Sequence, residues 1–217
     1  MTVTDGDKDN TDRPGDPNES AAGKPGGEAE GKADGVADGK KRGTLRETIG
    51  LIALGVVVAL LLQAFVIGQF WIPSGSMENT LMVGDRVVVN KLNGAADRGD
   101  IVVFKGWDGQ DTIKRVIAVG GDTVECCDAK RLSVNGVPLD ETYIHPDDYP
   151  SKQRFKEKLP KGKLWVMGDH RSGSSDSREI YHGPIDEDDV IGRAFAIVWP
   201  FSRATILSRP ETFDRVR

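Results

Sequence analysis

The chain has 217 residues, 34 acidic against 29 basic side chains, a net charge of -5, two cysteines and three histidines. That length accommodates one folded domain beside an accessory segment, and no basic face for nucleic acid is present. Cys126-Cys127 has no His or Cys at ligand spacing, so neither a metal site nor a cofactor is expected.

Residues 1–39 hold ten acidic and four basic residues, many Gly and Pro, and no aromatic residue. Such a stretch buries too little apolar surface to offset its ordering entropy, and a disordered tail over residues 1–43 is expected. Lys40, Lys41, Arg42 and Arg46 then precede a run that is free of charge from Thr48 to Met77 and almost wholly apolar from Ile49 to Gly68. A bilayer core takes roughly 20 apolar residues as a helix, so a single transmembrane helix is expected over residues 44–68. Basic residues before the run and none after it until Arg86 put the N-terminus in the cytoplasm and residues 69–217 outside the cell membrane. A cleaved secretory signal has a shorter apolar region of ~7–15 residues and ends at a small-x-small site. Here the run is longer and leads into Gln69-Phe70-Trp71-Ile72-Pro73.

Beyond the anchor the sequence turns β-rich. Short β-branched runs at 85–90, 100–105, 112–119, 131–134, 164–168 and 191–199 are separated by Gly, Asn, Asp or Pro. Asn135-Gly136 is a hairpin-turn signal, because both positions tolerate positive φ. Residues 140–163 are polar and read as a long loop. No convincing amphipathic helix follows residue 68, so a mainly β barrel or sandwich is expected. For Cys126-Cys127 a reduced pair, an intermolecular bridge and a vicinal bridge all remain open.

Three segments carry chemistry. Ser76 follows Ile72-Pro73-Ser74-Gly75, where glycine allows a sharp turn. A serine hydroxyl is a poor nucleophile until a base removes its proton. Lys114 is the candidate base: by alternation it shares a strand face with Thr112, Val116 and Ala118, while Arg115 points the other way. Desolvation there lowers a lysine's pKa toward the range a general base needs; at a strand edge its ammonium would instead sit in water. The third segment, Gly168-Asp169-His170-Arg171-Ser172-Gly173-Ser174-Ser175-Asp176-Ser177-Arg178, is dense in hydroxyls and charges.

Together these segments resemble the sequence boxes of the type I signal peptidases, membrane-bound Ser/Lys endopeptidases that remove secretory signal peptides. The matching residues are Pro73–Met77 with Thr80-Leu81, Gly99–Phe104, Lys114–Ile117 with Gly120-Gly121-Asp122, and Gly168-Asp169 with Ser174, Asp176, Ser177 and Arg178. The resemblance implies a coiled β-barrel catalytic domain, cleavage after small residues of the Ala-x-Ala type, and an acyl-enzyme mechanism. It gives Ser76 the nucleophile's place, Lys114 the general base's, and Ser74 with the Ser76 N–H the oxyanion hole. Ser174 takes the place of the hydroxyl that orients the lysine, and Asp176 with Arg178 that of a salt bridge. Phe70, Ile72, Met77 and Ile113 match the substrate pocket. Expected partners are secretory preproteins and the lipid bilayer, without nucleic acid, for a monomeric protein. Departures are Asn79, where the family often has Pro, His170 for Asn, and Ser172-Gly173 for Asp-Asn; they bear on loop rigidity.

Two other readings compete. A Ser-His-Asp hydrolase would draw on His145, His170 or His182, but no Gly-x-Ser-x-Gly elbow is present. A membrane-tethered β-module without catalysis would leave the Ser74, Ser76, Lys114 and Ser174 set as coincidence.

Overall fold

The structure, a computed structural model, describes residues 40–92, 95–128 and 131–216. The expected tail therefore lies largely outside the described residues, and its last four positions belong to a helix, α1 (Lys40–Phe65). Within α1, Thr44–Gln63 are 20 residues of mean hydropathy 2.1, none of them buried. At 1.5 Å per residue they span about 30 Å, the thickness of a bilayer core. The helix ends at Phe65, short of the Gly68 expected from the apolar run. Val66 N–H still donates to Leu62 O, but Lys91 N–H donates to Val66 O and starts a sheet. Ile67–Trp71 then form β1, and pairing with a partner strand replaces the helix's own hydrogen bonds.

The rest is mainly β, with all pairs antiparallel. The larger sheet runs in the order β1, β2 (Arg86–Asn90), β11 (Val190–Trp199), β3 (Ile101–Lys105), β4 (Asp111–Ala118), β9 (Lys163–Met167) and β10 (Ile185–Asp186), with β12 (Thr205–Ile206) on β11. The smaller sheet runs β7 (Val137–Pro138), β6 (Arg131–Val134), β5 (Thr123–Asp128) and β8 (Phe155–Lys158). Register shifts against β2 between Ala194 and Ala196 and between Ile197 and Trp199 interrupt the ladder of β11, and such bulges bend and twist a strand. Asn135 and Gly136, at φ 53° and 77°, turn β6 into β7.

Residues 140–163 are not wholly a loop, because β8 lies inside them. Its sequence, Phe-Lys-Glu-Lys, offers almost no apolar signal. It is an edge strand held by backbone pairing to β5 and by Phe155 stacked on Trp165 at 5.2 Å. β5 carries little strand signal for a related reason: Glu125 and Asp128 interrupt its apolar pattern. Cys126 and Cys127 are joined to each other by a disulfide. Of the three buried apolar clusters, one gathers Ile72, Met77, Leu81, Val87, Val89, Ile101, Val103, Ala194 and Ile197, and anchors the turn described next.

Candidate active site

Ser76 lies in a single 3-10 turn, Gly75–Met77, closed by Glu78 N–H on Gly75 O at 3.0 Å. Met77 and Leu81 are fully buried and joined by a backbone bond of 2.7 Å, so the apolar core fixes the turn from below. From behind, Ile72 N–H donates to Asp85 O at 2.9 Å. Buried Asp85 is in turn gripped by Arg203 through Nε at 3.0 Å and Nη2 at 3.0 Å. Ser76 thus sits on a short turn held by the apolar cluster on one side and by the Ile72–Asp85–Arg203 contacts on the other.

Lys114 reaches it from β4, where it pairs with Val102 of β3. Its Nζ donates to Ser76 Oγ at 2.7 Å, and the residue is only 4% exposed. The strand-edge alternative therefore fails. Burial pushes the amine down to about 8, against the opposing pull of Asp176, with Arg178 lowering it further and Asp169 raising it. Among the described residues no carboxylate bonds to Lys114 directly.

The reason is visible in the loop after β9. Asp176 is fully buried and its carboxylate is saturated by others: Arg178 donates through Nε at 2.8 Å and Nη2 at 2.9 Å, Gly168 N–H at 3.0 Å and Ser174 Oγ at 2.7 Å. These contacts hold the Asp176 carboxyl below the usual carboxylate range despite its burial. Ser174 thus spends its hydroxyl proton on Asp176, and among the described residues no hydrogen bond joins it to Lys114. Gly168 has no room for a side chain, since a Cβ would collide with Ser76 O and Ser174 Oγ. This close approach brings the loop onto the nucleophile's turn, where His170 N–H donates to Ser76 O at 3.1 Å.

One feature eluded sequence reasoning. Arg115, the next residue after Lys114, is 2% exposed and forms a bidentate pair with fully buried Asp169, Nε to Oδ1 at 2.9 Å and Nη2 to Oδ2 at 2.6 Å. Its Nη1 donates to Gly99 O at 2.8 Å, Thr80 Oγ1 donates to Asp169 Oδ2 at 2.5 Å, and the guanidinium lies 4.4 Å from the Tyr143 ring centroid. Thr80, Gly99, Arg115 and Asp169 come from four separate boxes, so this pair is the knot that joins them. The available signal was an Arg on a strand apolar on both sides, which demands a buried partner.

Ser74 precedes the turn in extended conformation (φ -134°, ψ 158°), exposed, with its hydroxyl making no capping bond. The Ser76 amide stands in the first turn of the helix, where N–H groups have no intrahelical partner. Phe70, Ile72, Met77 and Ile113 gather around one cluster, but not equally. Ile72 and Met77 are closed off at 1% and 0% exposure, whereas Phe70 and Ile113 are half-buried. Asn79 takes φ 84°, which proline's ring forbids, and its Nδ2 donates to the carbonyls of Tyr143 (2.9 Å) and Ile144 (3.1 Å). The departure from Pro therefore fastens the turn to the segment after β7.

Among the described residues no histidine bonds to Ser76 Oγ. His182 stacks on Trp107, and the His170 ring faces Gly75 O and Glu78. Where spacing alone points to no metal ligands, the described residues include one three-donor group, Glu78, His145 and His170, with donor atoms all within 4.8 Å of one another.

Comparison with known proteins identifies the chain's family. The model of the family described as signal peptidase, peptidase S26, matches residues 45–199. A signal peptidase I of Mycobacterium tuberculosis is 36% identical, with 75% of each chain covered. One of Leptolyngbya laminosa is 38% identical over 78% of this chain and 87% of its own. A solved signal peptidase I of Enterococcus faecalis is 32% identical, covering 46% of this chain and 96% of that one at a TM-score of 0.40. With its family match running from the helix to the end of β11, the chain belongs to the S26 signal peptidases.

Proposed function

We propose that this chain is a membrane-anchored serine endopeptidase that removes signal peptides from exported preproteins after small residues. The observation that carries the reading is the 2.7 Å contact between Ser76 Oγ and a lysine amine that burial has brought to about 8. In its neutral form Lys114 Nζ accepts the hydroxyl proton as Oγ attacks the scissile carbonyl carbon. The developing oxyanion is met by the Ser76 N–H and the free Ser74 hydroxyl, donors of a kind worth ~3–4 kcal/mol of barrier. Collapse of the intermediate breaks the C–N bond, with the proton passing from Lys114 to the leaving amine and the signal peptide held as an ester on Oγ. Water then gives its proton to Lys114 and its oxygen to the acyl carbon, releasing the carboxylate and regenerating Ser76.

Ser174 acts at one remove in this scheme. By donating to Asp176, and with Arg178 neutralising the same carboxylate, it keeps that charge from capturing the lysine as an ammonium. Phe70 and Ile113 line the pocket for the small side chains, over a floor of Ile72 and Met77. α1 serves as the anchor, with the basic residues before it in the cytoplasm and the β domain, residues 69–217, outside. Trp71, 62% exposed just past the helix, suits the headgroup level. Confinement beside the membrane raises the effective concentration of scissile bonds presented there.

Detergent-solubilised full-length chain incubated with a preprotein bearing an Ala-x-Ala site should yield one new N-terminus immediately after that site. A preprotein left whole by this chain, or cut equally by Ser76→Ala, rules the function out. Protease treatment of sealed vesicles tests the topology: digestion of residues 1–39 from outside, with the β domain shielded, reverses the orientation.

A further inference from the structure

Three donors far apart in sequence converge beside the nucleophile's turn. Glu78 closes that turn, His145 lies between β7 and β8, and His170 follows β9. Each is half-buried, and one ligand atom from each falls within 4.8 Å of the others. His170 Nδ1 stands 3.2 Å from Glu78 Oε2 and 3.2 Å from Gly75 O, and a cation on that nitrogen replaces the second contact. His145 and His170 lie face to face, ring centroids 4.5 Å apart. His145 Nδ1 is buried without a hydrogen-bond partner, a condition shared among the described residues only by Trp165 Nε1. A buried imidazole nitrogen without a partner, in a group with a second imidazole and a carboxylate, leaves a position that a bound cation can satisfy when that nitrogen is deprotonated.

We propose that Glu78, His145 and His170 bind a divalent cation of the zinc class, which ties the segment between β7 and β8 to the nucleophile's turn. Two nitrogens and one oxygen suit zinc and its transition-metal neighbours, whereas magnesium and calcium take oxygen ligands. Bonds of ~2.0–2.2 Å place tetrahedral donors about 3.3 Å apart. The Glu78–His170 pair has that spacing, and the widest pair has to close by up to about 1.5 Å. His145 is the residue to move. Among the described residues no side-chain hydrogen bond restrains its ring, so turning it gives up the stack on His170.

The backbones of all three ligands are pinned. Glu78 N–H bonds Gly75 O at 3.0 Å, His145 N–H bonds Asp169 O at 2.9 Å, and His170 N–H bonds Ser76 O at 3.1 Å. Asn79 holds the same segment through the carbonyls of Tyr143 and Ile144. Competition within the chain is slight: its remaining histidine, His182, is stacked on Trp107, and both cysteines are in their disulfide. Because the cation binds the folded arrangement, loading it raises thermal stability by mass action. Binding and melting do not depend on the peptidase reading, so the site stands or falls separately.

The test uses untagged full-length chain in detergent, stripped with chelator and titrated with Zn²⁺ by calorimetry, with Co²⁺ as a visible-absorption probe of the ligand set. One equivalent should bind, raising Tm in a way that EDTA reverses. Removing a mere support of a metal ligand costs ~10–100-fold in affinity. His145→Ala and Glu78→Gln should therefore each weaken Zn²⁺ by at least about tenfold, while melting like the parent when metal-free. His182→Ala should bind as the parent does. Absence of saturable one-equivalent binding overturns the site, as does undiminished affinity in His145→Ala or an equal loss in His182→Ala.

Discussion

Two neighbouring parts of the site treat buried charge in opposite ways. Around Arg115 a guanidinium 2% exposed meets Asp169 at both oxygens, a carbonyl and an aromatic face, and its pKa rises above the ordinary value. Around Lys114, one residue earlier on the same strand, an amine 4% exposed meets a serine hydroxyl, and its pKa falls to about 8. Burial acts against both charges. What differs is whether a carboxylate answers it. Partnered, the cation is a structural knot; denied a partner, it is held closer to its neutral form, as the proposed base requires. Asp176 makes the denial possible, because Arg178 and Ser174 already occupy it.

Removing the dyad breaks the comparison most severely. Ser76→Ala and Lys114→Ala should each lower kcat/KM by about 10⁴-fold or more with the fold intact, and the double variant should be little worse, since such groups act as a unit. Preprotein cleavage with active-site titration measures this, and additive losses would separate the two residues.

Breaking the knot should act on folding instead. Asp169→Asn leaves Arg115 buried and unpaired, which costs about 3–5 kcal/mol. Urea melts should show that loss. A variant as stable as the parent would mean that the pair joins nothing.

The contrast can be sharpened by pH. The active form is the neutral amine, and burial lowers its pKa, so activity should rise through about pH 8 and level off above it. Below that point kcat/KM should fall about tenfold per pH unit, as expected for one essential deprotonated base. Lys114→Arg stays protonated and should be inactive at every pH. A limb controlled near 6.5 and removed by His170→Ala would favour the histidine mechanism instead.

The smallest effect is expected at the surface. Lys156 and Glu125 pair at 2.7 Å across β8 and β5, but their side chains are 66% and 37% exposed. Glu125→Gln should change stability by less than about 1 kcal/mol, the usual range for exposed pairs. A larger loss would show that this charged edge strand leans on its ion pair.

Much of the large sheet was legible, because β2, β3, β4, β9 and β11 carry β-branched runs whose alternation or continuous burial marks them. β8 was not, since its charged residues gain their place from a neighbour's backbone. At the site, Ser76 and Lys114 were legible as types of residue in particular settings. The bond of Ser174 to Asp176 rather than to the lysine was not, because a hydroxyl's partner depends on distances that spacing does not encode. Arg115 with Asp169, and Glu78 with His145 and His170, were hidden for the same reason: their members lie in distant segments of the chain and meet only when Gly168 lets the last loop touch the Ser76 turn.

The sequence by itself determined an apolar segment long enough to cross a bilayer, a β-rich domain after it, and a serine, a lysine and an acid–arginine pair in fixed order. Those follow from local composition, periodicity and hydrogen-bonding type, which each short segment carries alone. Only the tertiary structure decided which buried cation keeps its charge. A pKa depends on the solvent removed and on the carboxylates left uncommitted nearby, and both are supplied by chain segments far away in sequence.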